Sequence, residues 1–247
     1  SNRNLIINGA MQVAQRGTSF TQTTSAYTLD RMEWVMNTST CVISQSTDVP
    51  SGQGFANSLK VSPSVANSSL SAAHVGYLRY GIEGQDLQQL AKGTSSAKKV
   101  TLSFWFKTNK VGTYQVNLRD HDNARLIGQT FTPAASDTWE KFKLTFDGDT
   151  TGTFDDNNDR SLSIGWWFAA GSTYTGGAVP TSWETLSSAD RAAGVTVNFL
   201  DSTSNELYIT GIQLEVGEQA TPFEHRSYAD ELARCQRYFF KLTDISG

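Results

Sequence analysis

Apolar and polar residues alternate in short runs along most of the chain. The run from Val100 to Lys107 reads Val-Thr-Leu-Ser-Phe-Trp-Phe-Lys, with an apolar residue at every second position. A period of two is typical of a β-strand with one face buried. Clusters of Gly, Ser, Thr, Asn and Asp separate the runs, as in antiparallel β-sandwiches. The sequence therefore predicts an all-β protein made of two packed sheets.

The alternation also gives the positions of the strands. The predicted strands include residues 30–37, 40–45, 58–61, 77–83, 99–108, 112–120, 140–146, 161–169, 195–200 and 206–216. The long segment 171–192 is rich in Gly, Ser and Thr and is predicted to be a loop with a short helix near residues 187–193. We expect one sandwich domain over residues 1–226 and a terminal helix over residues 227–247.

The last predicted strand and the helix after it have distinct local signals. Gly211 interrupts the alternation in the last strand, and a residue without a Cβ suits a β-bulge. Ser227 precedes the acidic residues Asp230 and Glu231, an order that predicts a capped helix N-terminus. The predicted apolar helix face consists of Leu232, Cys235, Tyr238, Phe239 and Leu242. This face is expected to pack either on its own sandwich or on neighbouring subunits.

Composition limits the classes of partner. A chain of 247 residues with 38% hydrophobic content can bury a substantial core. The formal net charge is -4, and the Lys and Arg residues are scattered, so we expect no nucleic-acid partner. No apolar stretch is long enough to span a bilayer, so we expect no membrane insertion. Cys41 and Cys235 lie in no recognisable motif and are expected to be buried free thiols.

Strand parity suggests a ligand-binding surface. If the apolar positions of the strands face the core, Trp105 and Trp167 point outward, among polar neighbours. The polar face of a third strand presents Gln115, Asn117 and Arg119. If these strands share a sheet, its outer face combines two indoles with amide and guanidinium groups. This combination suits a sugar, whose apolar C–H face stacks on an aromatic ring and whose hydroxyls need planar hydrogen-bonding partners.

Two further interpretations accompany this hypothesis. Tyr174 and Trp183, both in the long loop, form a second candidate ligand site. Alternatively, the outward aromatic residues lie under a loop, under the terminal helix or in a subunit interface, and bind no ligand.

Signals for metal binding or catalysis are weak. The acidic segment 147–159 has the oxygen ligands that Ca²⁺ favours but lacks the spacing of an EF-hand, so we expect a solvated loop without metal. Asp120 and Asp122 flank His121, yet their separation cannot be read from the sequence, and an exposed loop is the simpler interpretation. We expect no catalytic residue, no metal and no cofactor.

Several blocks of the chain resemble one known family. The segment 210–239 reads TGIQLEVGEQATPFEHRSYADELARCQRYF. The segments 4–17 (NLIINGAMQVAQRG), 82–86 (IEGQD), 100–107 (VTLSFWFK) and 139–152 (WEKFKLTFDGDTTG) precede it in order. Together they resemble the signature blocks of bacteriophage and prophage tail-fibre, or receptor-binding, domains, which are similar to jelly-roll carbohydrate-binding modules.

The resemblance implies a fold, a location and a partner. It implies a jelly-roll β-sandwich with a C-terminal amphipathic helix, located in the virion tail after assembly in the host cytoplasm. It further implies a non-catalytic module that binds bacterial surface polysaccharide and associates with other fibre subunits, with a homotrimer expected. The alternatives are a structural trimeric virion module without ligand and, less favoured, a polysaccharide depolymerase.

Overall fold

The computed structural model of the protein describes residues 3–241. Its strands, in chain order, are β1 (Ser19–Gln22), β2 (Ala26–Tyr27), β3 (Met32–Met36), β4 (Thr40–Ser46), β5 (Ser58–Val65), β6 (Val75–Glu83), β7 (Val100–Thr108), β8 (Tyr114–Asp120), β9 (Arg125–Phe131), β10 (Glu140–Phe146), β11 (Arg160–Ala170), β12 (Glu184–Thr185) and β13 (Leu207–Val216). The helices are α1 (Ser172–Thr175) and α2 (Tyr228–Gln236), and four short 3₁₀ helices lie at Gly84–Asp86, Gln88–Leu90, Ser188–Asp190 and Phe199–Asp201.

The strands form two antiparallel sheets. A six-stranded sheet, which we call the front sheet, has the order β1-β4-β5-β13-β7-β10. A seven-stranded sheet, which we call the back sheet, has the order β12-β9-β8-β11-β6-β3-β2. Most neighbours are not consecutive in the chain, so the chain crosses repeatedly between the sheets. The arrangement is a jelly-roll β-sandwich, as the sequence predicts.

Every predicted strand except one corresponds to an observed strand. Most ends differ by at most two residues, but β5 continues four residues beyond the predicted end at residue 61. The predicted strand at residues 195–200 is wrong. This segment is a loop that ends in a 3₁₀ helix, because the Asn198 side chain accepts a hydrogen bond from the Leu200 amide at 3.0 Å and donates one to the Asn67 carbonyl at 2.8 Å. The predicted short helix in the long loop is confirmed as the 3₁₀ helix Ser188–Asp190.

The core consists of aromatic and aliphatic side chains from the inner faces of the two sheets. Phe104 of β7 packs edge to face on Trp166 of β11, with the ring centroids 5.9 Å apart. Phe106 stacks on Phe168 across the sandwich at 5.8 Å. All four side chains are fully buried, and burial of each contributes roughly 1.5–3 kcal/mol to stability. This packing fixes which residues of β7 and β11 point outward.

A β-bulge lies in β13 at the position that the sequence predicts. The register between β13 and β7 shifts between Thr210 and Gln213, and Gly211 has a positive φ of 62°. A Cβ at Gly211 would lie 2.6 Å from Cζ of Phe55 and 3.1 Å from Cδ1 of Trp105. The glycine therefore permits both the bent backbone and the close approach of two aromatic rings.

The terminal helix packs on its own chain, as in the first of the two predicted arrangements, and buries Glu231 and Cys235. Its N-terminus is capped as predicted, since the Ser227 hydroxyl accepts a hydrogen bond from the Asp230 amide. Glu231 accepts a hydrogen bond from the Asn8 amide at 2.6 Å. The helix ends at Gln236, earlier than predicted, so Tyr238 and Phe239 follow the helix and do not belong to its face. Leu242 lies outside the described residues.

Residues beyond the helix still contact the N-terminal half of the chain. The Arg31 guanidinium lies 3.4 Å from the centroid of the Tyr238 ring, and that of Arg16 lies 3.6 Å from the centroid of the Phe239 ring. Cation–π contacts of this kind replace the helix-face packing that the sequence suggests for these two residues.

Both cysteines are free and buried, as predicted. Cys41 is on β4 and Cys235 is on α2. Burial raises the pKa of each thiol to about 12.

The bulge gives a stability prediction. We expect Gly211→Ala to destabilise the protein by about 2–4 kcal/mol, since the new Cβ meets Phe55 and Ala is strained at positive φ. Gly52→Ala is the matched control, because Gly52 has a φ of +71° and no atom within 4 Å of the position that a Cβ would take, and it should cost only about 1 kcal/mol. Urea unfolding of both variants measures the difference, and equal losses would contradict the steric explanation.

Candidate functional site

The two outward tryptophans lie on opposite sides of the protein. Trp105 is on β7 in the front sheet, whereas Trp167 is on β11 in the back sheet, together with Gln115, Asn117 and Arg119 of β8. β8 and β11 are neighbours in the back sheet, but β7 belongs to the front sheet, so the condition that all three strands share a sheet is not met. Strand parity gives the direction of each side chain relative to its own sheet, but it does not tell which sheet a strand joins. One composite site with both indoles does not exist.

On the back sheet, Trp167 lies beneath the long loop. Its indole stacks on Tyr77 at 4.2 Å between ring centroids and packs against Tyr174 at 5.5 Å. The Arg191 guanidinium lies 4.8 Å from the centroid of the indole. Trp167 is only 1% exposed, so it offers no ring face on which a sugar can stack. The predicted stacking role is therefore not possible in this structure, and the alternative of a tryptophan beneath a loop applies.

The amide side chains of β8 hold this loop in place. Gln115 donates from Nε2 to the Asp190 carbonyl at 2.8 Å and accepts at Oε1 from the Gly194 amide at 2.8 Å. Asn117 donates to the Arg191 carbonyl and accepts from Gln115. Both side chains are buried and their hydrogen bonds are internal. The prediction that they bind sugar hydroxyls is contradicted by these contacts, because backbone groups of the loop occupy the same donors and acceptors.

Arg119 differs from its two neighbours on β8. It forms no hydrogen bond or ion pair with any residue in the range 3–241, and its Nε atom is buried without a partner. Burial lowers the pKa of Arg119, and the nearby charge of Arg191 lowers it further. The side chain lines a small cavity of about 20 Å³ together with Arg79, Gly165 and Trp167.

The loop residues Tyr174 and Trp183 do not meet in one site. Tyr174 packs on Trp167, as described above. Trp183 donates from Nε1 to the Asp147 carbonyl at 2.7 Å, and Nζ of Lys92 lies 5.8 Å from the centroid of its ring. Each ring fixes a different part of the loop to the sandwich. Their proposed role in ligand binding stays a prediction.

Trp105 has a different environment on the front sheet. It is half-buried and lines an open cleft of about 470 Å³. Lys141 is opposite Trp105 on the neighbouring strand β10, and the other lining residues come from the loop between β4 and β5 and from the connection between β13 and α2. The cleft, which we call the front cleft, is lined by Gln53, Phe55, Trp105, Lys141, Ala220, Thr221, Pro222, Phe223 and His225.

Trp105 alone among the tryptophans combines partial exposure with the absence of an internal partner. The chain has six tryptophans, at positions 34, 105, 139, 166, 167 and 183, all within the described range. Trp105 makes no side-chain hydrogen bond and no ring contact with residues 3–241. The half-buried Trp139, by contrast, donates from Nε1 to Asp48 at 2.9 Å. The indole of Trp105 is therefore partly open to the cleft and is held by no hydrogen bond or ring contact with the described residues.

Three of the aromatic side chains that line the front cleft pack on one another. The Phe55 ring packs on that of Phe223 at 5.0 Å and on that of His225 at 5.4 Å. The bulge at Gly211 brings Phe55 next to Trp105. Sequence reasoning did not find Phe55, Phe223 or His225, because they lie in irregular segments that have no period and are far apart in the chain.

A row of polar contacts adjoins the cleft on the same sheet face. Lys107 pairs with Asp48 and lies 4.5 Å from the centroid of the Tyr208 ring. The Tyr208 hydroxyl donates to Glu206 at 2.7 Å, and Lys60 donates to the same carboxylate at 2.6 Å. Each of the two lysines is paired with a carboxylate, so these contacts hold the side chains on this part of the sheet face and leave no charge unpaired.

The acidic residues near His121 are also engaged internally. Asp120 is buried and pairs with Lys92 at 2.6 Å, whereas Asp122 is exposed and accepts a hydrogen bond from the Asp155 amide at 3.0 Å. The two carboxylates that flank His121 therefore have separate partners and do not form a pair. Within residues 3–241, no group of three or more His, Cys, Asp and Glu side chains is placed to hold a metal ion.

Asp149, in the predicted acidic loop, is a buried ion-pair partner. It accepts two hydrogen bonds from Arg125, at 2.6 and 3.1 Å. Burial works to raise the pKa of Asp149, but the hydrogen bonds from Arg125 and Thr151 and the charge of Lys92 outweigh it and lower the pKa. This part of the segment is therefore packed against the sandwich.

Within residues 3–241, no helix is both long enough and apolar enough to cross a bilayer.

Comparison with known proteins gives distant structural similarities only. No family model and no curated protein matches the chain. The chain is similar to the enzymatically active domain of bacteriophage CBA120 tailspike protein 4, with 11% identity and a TM-score of 0.43. That match covers 86% of this chain and 21% of the tailspike chain, so the chain spans about a fifth of its length. The resemblance to tail-fibre domains stays a prediction.

Two carbohydrate-binding modules are also similar to the chain. One is the family 11 module from Clostridium thermocellum in complex with a β-1,3-1,4-mixed-linked tetrasaccharide, with 12% identity, coverage of 83% of this chain and 98% of that chain, and a TM-score of 0.38. The other is TmCBM61 in complex with β-1,4-galactotriose, with 10% identity, coverage of 87% and 99%, and a TM-score of 0.40. Scores at this level do not bear on the ligand or activity of this chain.

The histidine next to Arg119 gives a prediction about acid stability. Burial lowers the pKa of His121 to about 3, and the charges of Arg119, Arg160 and Arg79 contribute. An unfolded His takes up a proton near pH 6.5, so the unfolded state binds more protons than the folded state between about pH 6.5 and 3. The free energy of unfolding contributed by His121 therefore falls as the pH falls through that window.

We expect His121→Gln to lose less stability than the wild type between pH 7.5 and pH 4.5. Urea unfolding gives the free energy of unfolding of both proteins at the two pH values. The difference between the two proteins at pH 7.5 is the reference for their difference at pH 4.5. Parallel losses of stability in the two proteins would argue against a depressed His121 pKa.

Proposed function

We propose that the protein is a non-catalytic glycan-binding module of a phage tail fibre and that the front cleft binds bacterial surface polysaccharide. The observation that supports this proposal is the uncommitted, half-buried indole of Trp105 in an open cleft that also has polar groups. A half-buried aromatic ring without an internal partner leaves part of its apolar area in contact with water. A ligand with one apolar face removes that area from water.

A pyranose ring fits the chemistry of this cleft. Its C–H face stacks on Trp105, and Phe223 and Pro222 close the apolar side of the cleft. Gln53, Lys141 and His225 are exposed at the rim and can hydrogen-bond to equatorial hydroxyls. The volume of about 470 Å³ lies within the range of roughly 300–1,000 Å³ that is usual for small-ligand sites.

The expected affinity of one site is low. A net hydrogen bond contributes only about 0.5–1.5 kcal/mol, so a shallow cleft with a few of them is expected to bind with a Kd of roughly 1 mM. Three copies in a homotrimer would raise the avidity by about 10²–10⁴ where the spacing of the sugar units fits. Repetition on a trimeric fibre therefore compensates for weak single sites. The trimer, the virion location and assembly in the host cytoplasm rest on the sequence resemblance.

The absence of catalysis is also part of this proposal. Glycoside hydrolysis commonly requires a pair of carboxyl groups that can exchange protons with the substrate. The buried carboxylates Asp120 and Asp149 are instead paired with Lys92 and Arg125. Among the described residues, neither an aspartate nor a glutamate lines the front cleft. These features favour a binding module over a depolymerase.

The proposal is tested with Trp105→Ala. We expect this variant to bind every bacterial surface polysaccharide that the wild type binds more weakly, with a Kd raised by about tenfold or more. The reason is that stacking of the sugar on the indole and the burial of apolar area that goes with it contribute roughly 1–3 kcal/mol to binding. Binding is measured by calorimetry and by the change in tryptophan fluorescence on adding a panel of purified polysaccharides.

The matched control is Tyr27→Ala, which removes a 45% exposed aromatic ring from the back sheet and should bind like the wild type. Light scattering of all three proteins reports the oligomeric state. If no polysaccharide binds and Trp105→Ala dissociates an oligomer, the purely structural module is correct instead. Release of reducing ends from a polysaccharide would establish the depolymerase and overturn the proposal.

A further inference from the structure

The outer face of the back sheet contains a groove that the proposed function does not use. Gly165 and Ser163 on the central strand β11 form its floor. Arg79 on β6 is paired in register with Gly165, and Arg119 on β8 is paired with Ser163. Since neighbouring strands lie about 4.8 Å apart, the arginines lie on strands about 10 Å apart with small residues between them. We call this feature the arginine groove.

Positive charge in the arginine groove exceeds negative charge. Arg79, Arg119, Arg160 and Arg191 are close enough that Arg119 is affected by the charges of the other three. Glu33 is the only carboxylate of residues 3–241 within ion-pair distance of any of them. It forms a bidentate pair with Arg79 at 2.6 and 2.8 Å and lies 3.5 Å from Arg160. Arg191 instead lies over the Trp167 ring, and Arg119 has no partner among the described residues.

An unpaired and partly buried guanidinium is costly for the folded protein. Its Nε atom is removed from water without a hydrogen bond, and three like charges lie near it. His121 adds no charge at neutral pH because its pKa is about 3. The fold therefore maintains a fixed positive potential at this position that the surrounding residues do not neutralise. Such an arrangement is expected where an external anion completes the charge balance.

The geometry points to a second ligand site: we propose that the arginine groove binds the carboxylate of an acidic sugar, with Arg119 as the group that pairs with it. A guanidinium presents parallel N–H donors that match the two oxygens of a carboxylate. The cavity of about 20 Å³ accommodates one or two oxygen atoms, since one water requires roughly 10–15 Å³. This size suits a planar carboxylate better than a tetrahedral phosphate.

The remaining part of the sugar would lie at the mouth of the groove. Tyr77 and Arg191 line one end of the cavity, and their polar atoms are 3.5 Å apart at a weak hydrogen bond that a ligand hydroxyl can replace. The choice of a sugar acid over another carboxylate rests on the proposed function. The carboxylate site itself rests only on the groove, which lies on the opposite sheet from the front cleft.

The test uses monosaccharides and the full chain. We expect sodium glucuronate to bind the wild-type protein at low salt, and glucose and glucuronate methyl ester, which lack the charge, to bind at least about tenfold more weakly. Arg119→Gln should weaken glucuronate binding by a similar factor. Binding is followed by saturation-transfer NMR and by calorimetry, and inorganic phosphate is titrated in parallel.

Two further variants make the result specific. Lys143→Gln removes an exposed positive charge from the front sheet and should bind glucuronate like the wild type. Gly165→Ala keeps every charge but adds a methyl group 3.3 Å from Nε1 of Trp167, and we expect it to weaken glucuronate binding by narrowing the groove. Arg119→Gln should have a melting temperature at least equal to that of the wild type, because it removes an unpaired charge.

Each outcome decides the proposal. No binding of glucuronate, or undiminished binding in Arg119→Gln, would overturn the site. Equal affinity for inorganic phosphate and glucuronate would overturn the assignment to a carboxylate. A failure of the polysaccharide panel at the front cleft would leave this test unaffected, because a single free sugar acid is the probe here.

Discussion

Aromatic packing between the two sheets is the interaction on which the rest of the molecule depends. Phe104 and Phe106 of β7 interdigitate with Trp166 and Phe168 of β11 at the centre of the core. Because side chains alternate along a strand, burial of these rings forces Trp105 and Trp167 outward, each from its own sheet. A shift of either strand by one residue would exchange indole and phenyl rings between core and surface. The two candidate surfaces therefore follow from one packing arrangement.

The outer faces of the two sheets differ because the long loop covers part of the back sheet only. On the back sheet, the side chains of Gln115 and Asn117 form hydrogen bonds with backbone groups of the long loop. The loop held in this way buries Trp167. On the front sheet, the bend at Gly211 draws loop residues beside Trp105 but not over it. The same pattern of residues thus produces a sealed aromatic cluster on one face and an open cleft on the other.

The sequence was sufficient for the properties that depend on neighbouring residues. Alternation located the long strands, Gly211 indicated the bulge and Ser227 indicated the helix cap, because each is a local effect. Alternation does not predict strand β9, because its run Arg-Leu-Ile-Gly-Gln-Thr-Phe has no clear period. It wrongly predicts a strand at 195–200, where Val195, Val197 and Phe199 alternate with polar residues in a segment that is a loop and a 3₁₀ helix. The pairing of β8 with β11, and of neither with β7, depends on contacts between distant segments. No local pattern encodes these contacts, so the sequence alone does not separate Trp105 from Trp167 and β8.

The buried cysteines have a consequence for a protein that is proposed to work outside cells. Thiols react with oxidants and with disulfides as thiolates, and a pKa of about 12 leaves almost no thiolate at neutral pH. Cys41 and Cys235 are also shielded from other molecules by their burial. Prolonged exposure to air should therefore neither cross-link copies of the protein nor lock a particular assembly. Any association between subunits therefore has to be held without a disulfide through Cys41 or Cys235.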